Sequence, residues 1–317
     1  MTATVDDVVA VADSHRSELL AYCYRMTGSL HDAEDLVQEI QVRAWKAAKS
    51  YDPQRASIRT WLYRIATNVC LTALASAERR VLPVDLAEPN PVVGPGRLPP
   101  AREIHWLEPF PDAMLGDGDP AAVVAARESV RLAFVAALQH LPPLQRAVLI
   151  LRDVLALRAA EVAGLLDTTT AAVNSALQRA HAQLPGIDAG PGELADAEQR
   201  EWLARYVEAF ETMDIDALKR ILREDALLQM PPFVAWFHGR DPVTAFLAGV
   251  FARGEGFRMV PVRANGRPAL AAYVRTDGEI YQAANLHVLT LDHDGIARMD
   301  LFHDPDLFRL FDLPAWL

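Results

Sequence analysis

Cysteine is nearly absent: Cys23 and Cys70 are the whole supply. A disulfide framework needs more, and structural zinc needs four ligands at recognisable spacing, so neither organises this chain. Both cysteines sit inside apolar helical patterns and read as buried thiols in a reducing compartment. Long apolar runs are missing too, since none approaches the ~18 residues that cross a bilayer. The N-terminus carries Asp6 and Asp7 where a signal peptide would be basic and then apolar. The expectation is a cytoplasmic protein with no membrane partner. Positive charge is also short: the net of −11, taken whole, argues against a nucleic-acid partner.

The distribution of charge argues the other way. Residues 1–42 hold Arg16 and Arg25 against eight acids, a net of −6, whereas residues 43–80 hold eight bases against Asp52 and Glu78, a net of +6. An acidic half followed by a basic half points to two different partner surfaces. Residues 120–185 are also slightly basic, and 186–317 carry −8. At 317 residues the chain has room for two or three units with cores of their own.

Proline divides it. Pro53 is alone in the first 80 residues, whereas nine prolines fall in 81–120, so that stretch reads as an extended linker between helical blocks. Its island His105–Pro111 is too aromatic to be free and should dock. Residues 5–80 read as helix, with Ala33, Leu36, Val37, Ile40, Ala44 and Trp45 on one stripe. Ser57 is placed to cap a following helix whose apolar stripe is Ile58, Trp61, Leu62, Ile65 and Val69. Residues 120–185 are helical again. A break at Asp167–Thr169 separates helices over Ala159–Leu166 and Thr170 to about Leu184, a helix-turn-helix pattern. Gly186, Gly190 and Gly192 mark a second boundary. Beyond it, helices over 198–212, 214–223 and 242–252 precede strand-like runs near 257–264, 269–275, 281–291 and 296–303. Turns at Asn265-Gly266, Asp277-Gly278 and Asp294-Gly295 join them into a meander.

Two helices carry the chemistry of recognition. On the first, Ser57, Arg59, Thr60, Trp61, Tyr63, Arg64 and Asn68 offer arginines for phosphates and aromatic rings for unstacked bases, a set suited to single-stranded nucleic acid. On the second, Val173, Leu177, Ala180 and Leu184 turn inward. Asn174, Ser175 and Gln178 turn outward, with Arg179 and His181 flanking and Thr169 and Thr170 at the helix start, and Asn and Gln pair bidentately with adenine in a major groove.

The strings DAEDLVQEIQVRAW (32–45), SIRTWLYRIATNVCLTAL (57–74) and AAEVAGLLDTTTAAVNSALQRAHAQL (159–184) together resemble bacterial sigma factors of the extracytoplasmic-function type. That resemblance implies region 2 over 1–80, a linker over 81–119 and region 4 over 120–185. It implies that Asp35, Gln38, Glu39 and Arg43 contact core RNA polymerase, at the β′ clamp helices, with the β subunit a further partner. The 57–68 helix would melt and read the promoter −10 element, and the Thr170 helix would read the −35 element. The chain departs from the pattern at Thr72, where Asp is common, at His181, where Arg is typical, and at Asp167, a turn position often Gly.

Residues 196–317 resemble the SnoaL-like, NTF2-like cone fold, chiefly through MPPFVAWFHGRDPVTAFL (230–247). Such a cone encloses a pocket for a small-molecule ligand, with Tyr206, Phe210, Met230, Trp236, Phe237, His287 and His303 as candidate lining. The fold expectation is therefore a multidomain chain, two all-α sigma domains plus a C-terminal α+β cone. Its function would be transcription initiation, with the cone regulating and with no catalytic residue, metal or cofactor. The rivals are a cyclase or isomerase working in the cone, and a plain two-domain repressor.

Overall fold

The computed structural model describes residues 13–90, 98–116, 120–184, 194–275 and 278–317. Asp6, Asp7 and the boundary glycines 186, 190 and 192 lie outside the described residues, as does Asp277. The chain divides into two compact units, Met1–Arg80 with Met114–Ile187, and Val81–Ala113 with Asp188–Leu317. The two helical blocks, expected as separate domains, therefore fold together, and most of the proline-rich stretch belongs to the C-terminal unit.

The first unit contains α1 (Arg16–Thr27), α2 (Leu30–Ala47), α3 (Ile58–Leu74), α4 (Pro120–Ser129), α5 (Leu132–Gln139), α6 (Pro143–Leu149), a π-helical turn at Ile150–Val154, α7 (Ala159–Leu165) and α8 (Thr170–Gln183). Its central element is α1, buried without interruption from Leu19 to Thr27, because α2, α3, α5 and α6 all pack around it. Gly28 stops α1 in the left-handed conformation that glycine adopts without strain, φ 74. Ser29 and Ser57 cap α2 and α3 by accepting the N–H groups of Asp32 and Thr60. Two arginines cross between the helical blocks. Arg25 donates from Nε and Nη2 to the carbonyl oxygen and hydroxyl of Ser129, at 3.2 and 2.5 Å. Arg146 donates to the Met26 carbonyl, to Gln139 and to Leu141.

The second unit contains α9 (Asp196–Glu211), α10 (Ile215–Ile221), β1 (Leu222–Gln229), β2 (Trp236–His238), α11 (Arg240–Phe251), β3 (Phe257–Ala264), β4 (Arg267–Arg275), β5 (Tyr281–Asp292), β6 (Gly295–Phe302) and α12 (Asp306–Leu310). The sheet order is β2-β1-β6-β5-β4-β3, antiparallel except where β1 runs parallel to β6. Strand residues alternate between faces. Leu270, Ala272, Leu289, Met299 and Leu301 pack with α9, α10 and α11 in one cluster. Their neighbours Ala271, Tyr273, Leu286, Val288 and Phe302 are equally buried, so the opposite face is covered as well.

The cover is the chain on either side of the cone. Tyr273 meets Phe308 edge-on at 5.1 Å and donates to the Pro314 carbonyl. Val84 N–H donates to Gln229 Oε1. The aromatic island docks on the β3–β4 turn, where Phe110 N–H donates to Asn265 Oδ1 at 2.8 Å and Asp112 accepts Gly266 N–H at 2.7 Å. Asn265 and Gly266 hold φ of 54° and 69°, as a tight hairpin turn requires. The sequence reading lacked β1 and β2. The expected 214–223 helix ends at Ile221, and β1 joins the sheet through a parallel pairing that no local turn signals.

Because Phe110 is completely buried, Phe110→Ala should destabilise the C-terminal unit by about 3–5 kcal/mol, read as a lower urea midpoint of that unit. A loss below about 1 kcal/mol would mean that the island is not part of its fold.

Candidate functional site

The acidic helix α2 presents a clean division of faces. Ala33, Val37, Ile40 and Ala44 are buried, while Asp35, Gln38, Glu39 and Arg43 are exposed on the other side. Arg43 Nε reaches Glu39 Oε1 at 2.6 Å along the helix. Trp45, expected in the buried stripe, is 58% exposed, and Val42 is 44% exposed. The reason is angular: at 3.6 residues per turn Trp45 lies about 80° beyond the arc that faces α1. The arc toward solvent therefore mixes acids with a large indole, and Val42 and Trp45 are two members that sequence reasoning missed.

On α3 the buried face also differs from the expected stripe. It runs through Leu62, Tyr63, Ala66, Thr67, Val69 and Cys70, leaving Ile58, Trp61 and Ile65 half-buried. Tyr63 is the correction that matters. Expected to meet bases, it is 1% exposed, its ring edge-on to Tyr22 at 5.3 Å and its hydroxyl donating to Glu18 at 3.2 Å. Burial and the Glu18 charge push the phenol well up, so it is a neutral packing residue. Ser57 and Thr60 are tied to each other at the helix start, Oγ to Oγ1 2.9 Å. Trp61 leans on Tyr51 with ring centroids 5.3 Å apart.

Arg64 and Asn68 remain exposed one turn apart. Neither arginine of the helix is idle. Arg59 Nε donates to Glu18 at 2.8 Å, and Arg64 Nη2 donates to Asp167 Oδ2 at 2.7 Å. Asp167 sits in the turn of the helix-turn-helix with φ 49, a conformation usually left to glycine. Its carboxylate is what glycine would lack.

That turn joins α7 to α8, and Thr169 caps α8 by accepting Ala172 N–H. Val173, Ala176 and Ala180 are buried, and Leu177 only half so. Thr170, Asn174 and Gln178 are exposed at intervals of four, forming one strip along the helix. Arg179 donates to Ser175 Oγ at 2.7 Å, and His181 meets Asp153 at 2.6 Å.

In the cone, Tyr206, Phe210, Met230, Phe237 and His287 are all buried. Their rings touch: Tyr206 to Phe210 at 4.6 Å, and Phe210 to His287 at 5.2 Å. Trp236, expected among them, does not join them. Its indole N–H donates to the Ala87 carbonyl, and its backbone pairs with Asn90 of the proline-rich stretch, because β2 is the sheet edge that this stretch covers. A polar chain threads the core. Tyr206 hydroxyl donates to His287 Nδ1 at 2.8 Å, His287 Nε2 donates to Asn285 Oδ1 at 2.5 Å, and Asn285 Nδ2 donates to His303 Nδ1 at 3.3 Å. His303 thus carries its proton on Nε2, which has no hydrogen-bond partner among the described residues. Burial drops His287 to about 3, helped by the nearby His303, and drops His303 to about 4.

Comparison with known proteins follows the same division. The Sigma-70 region 2 model matches residues 11–80, the Sigma-70 region 4 model 131–184, and the SnoaL-like domain model 203–299. The chain is 47% identical over 315 residues to the ECF RNA polymerase sigma factor SigG of Mycobacterium tuberculosis, spanning 97% of this chain and 84% of that protein. It is 28% identical over 314 residues to SigJ of the same organism, spanning 95% and 93%. The crystal structure of SigJ shares the fold, with a TM-score of 0.63 at 24% identity over 97% of this chain and 99% of that one.

The two cone histidines predict acid sensitivity. Their folded values lie below the usual ~6.5, so the stability they confer is present above pH 6.5 and is lost as pH falls toward 4 and 3. Each should remove about 1.4 kcal/mol per pH unit across that window. The melting temperature of the C-terminal unit should fall between pH 7 and pH 5, less steeply in His303→Gln. A flat profile in the unsubstituted protein would show that these rings are not buried neutral.

Proposed function

Because the chain belongs to the extracytoplasmic-function RNA polymerase sigma factors, we propose a division of work among the surfaces described above. The protein binds core RNA polymerase and directs promoter recognition, melting and transcription initiation. The exposed arc of α2, with Asp35, Gln38, Glu39 and Arg43 joined by Val42 and Trp45, docks on the β′ clamp helices, and the β subunit is a further contact. One observation carries this: a 58% exposed tryptophan beside carboxylates, on a helix whose opposite face is fully buried. An aromatic anchor ringed by charge is what a protein partner takes hold of. The sigma factor then works in the cytoplasm, beside the polymerase.

On α3, Arg64 and Asn68 read the opened −10 strand, with Arg59, Thr60 and Ser57 at its phosphates and Trp61 as the stacking surface. On α8, Asn174 and Gln178 read bases of the −35 element, with Thr169, Thr170, Ser175 and Arg179 toward the backbone. The two elements lie about 25 base pairs apart, roughly 85 Å at 3.4 Å per pair. Here the two readers are joined by the Arg64–Asp167 contact. The first unit must therefore open on the promoter.

The C-terminal unit regulates and does not catalyse. Its two core histidines are neutral, and the buried carboxylate Asp300 is spent on Gln229 and Arg298. Among the described residues of the cone no charged acid and base converge on one point, which supports the regulatory reading.

Charge reversal of Asp35 and Glu39 to Lys should abolish co-purification with core polymerase while far-UV circular dichroism stays unchanged. Normal binding by that folded variant would remove α2 as the docking surface. Arg64→Ala with Asn68→Ala should lower permanganate reactivity of −10 thymines by about tenfold while closed-complex formation persists. Equal melting would make the strip ordinary surface.

A further inference from the structure

The first unit holds a cavity of about 530 Å³ between α1, α3 and α4. One wall comes from α1 and α3, with Ser17, Arg25 and Arg59. The other comes from Gly116, from Ala126 and Ser129 of α4, and from the end of the π turn. Arg25 dominates the interior. Its residue is 3% exposed and only its Nε and Nη2 are engaged, both by Ser129. Among the described residues no carboxylate pairs with it, and Nη1 has no acceptor. Burial lowers it to about 10, so it is charged at neutral pH.

The other charges of the cavity cancel. Glu18 is held by Arg59 at 2.8 Å and by the Tyr63 hydroxyl at 3.2 Å, with His15 at 3.6 Å. What remains is one surplus buried positive charge beside the serines 14, 17 and 129. The Glu18 charge reaches Arg25 only at a distance, being held by Arg59, so the desolvated guanidinium stays costly, and an oxyanion offering several acceptors relieves that cost.

We propose that this cavity binds the phosphate group of a small phosphorylated molecule, with Arg25 Nη1 as its charged anchor and the Ser17 hydroxyl as a further donor. Both helical blocks form the cavity walls, so the ligand binds the closed unit and not an opened one. By mass action it stabilises the closed form and holds the −10 and −35 readers together. This consequence, unlike the site itself, rests on the proposed assignment of α3 and α8 to the two promoter elements.

The test uses the full-length protein without polymerase. Inorganic phosphate, pyrophosphate and adenosine diphosphate are titrated by calorimetry and by thermal melting, at ionic strength matched with chloride. At least one should bind saturably and raise the melting temperature. Arg25→Ala should weaken binding at least about tenfold, the loss expected for a charge-assisted hydrogen bond. Since Arg25 also joins the two blocks, Ala126→Phe is the second variant. It fills the space without changing charge, and should abolish binding while the ligand-free melt is unchanged.

No saturable binding to the wild type overturns the site, as does wild-type affinity in Ala126→Phe. Binding of a single-stranded oligonucleotide in place of the small phosphates would assign Arg25 to promoter DNA and also overturn it. Run-off transcription then compares wild type with Ala126→Phe, so that effects on polymerase itself cancel. Inhibition confined to the wild type is expected. Ligand binding without that inhibition would overturn the closed-state consequence and leave the sigma assignment standing.

Discussion

The helical unit depends on two arginines that bind carbonyl oxygens where carboxylates would be expected. The last turn of any helix leaves carbonyls without partners, and these carry the negative end of the helix dipole. Arg146 supplies what the end of α1 lacks, reaching the Met26 carbonyl from the other helical block while its remaining donors close on Gln139 and Leu141. Arg25, one residue earlier, reaches out of α1 to Ser129. Burial lowers both arginines to about 10, so both stay charged and both bear a desolvation cost, which for Arg25 the Glu18 charge offsets only in part. The interface is specific in geometry and modest in net strength.

The same unit shows how a polar strip can be engaged without being buried. Arg64 and Asn68 stay at the surface, but Arg64 is engaged by Asp167 across the turn of the helix-turn-helix. An exposed ion pair of this kind contributes little to stability, ~0–1 kcal/mol. Its effect is positional: it lays α3 against the turn before α8. The carboxylate occupies a left-handed position where glycine is the easier residue, which ties the departure at Asp167 to a function in packing.

The C-terminal unit solves a different problem. A sheet with apolar residues on both faces must cover both. Its helices cover one face, and α12 with the proline-rich stretch covers the other. That stretch reads as a linker by composition, because proline removes backbone donors and resists helix. Docking needs only a few donors and acceptors, and Phe110, Asp112 and Asn90 provide them.

Much of this was legible in residue order. Helix-turn-helix spacing, the cap at Ser57, the four strands of the meander and the charge reversal near residue 42 all depend on local conformation and local composition. These are properties a short window of sequence carries. The parallel β1–β6 pairing, the true buried arc of α3, the exposure of Trp45 and the burial of Tyr63 were decided by the tertiary structure. Each turns on which neighbour a face meets: the α3 face, for instance, rotates until Tyr63 rather than Trp61 packs on Tyr22. Periodicity fixes that a helix has an apolar side only to within an arc. Which residue at the edge of that arc is buried depends on the partner helix, and the chain carries that information only once it has folded.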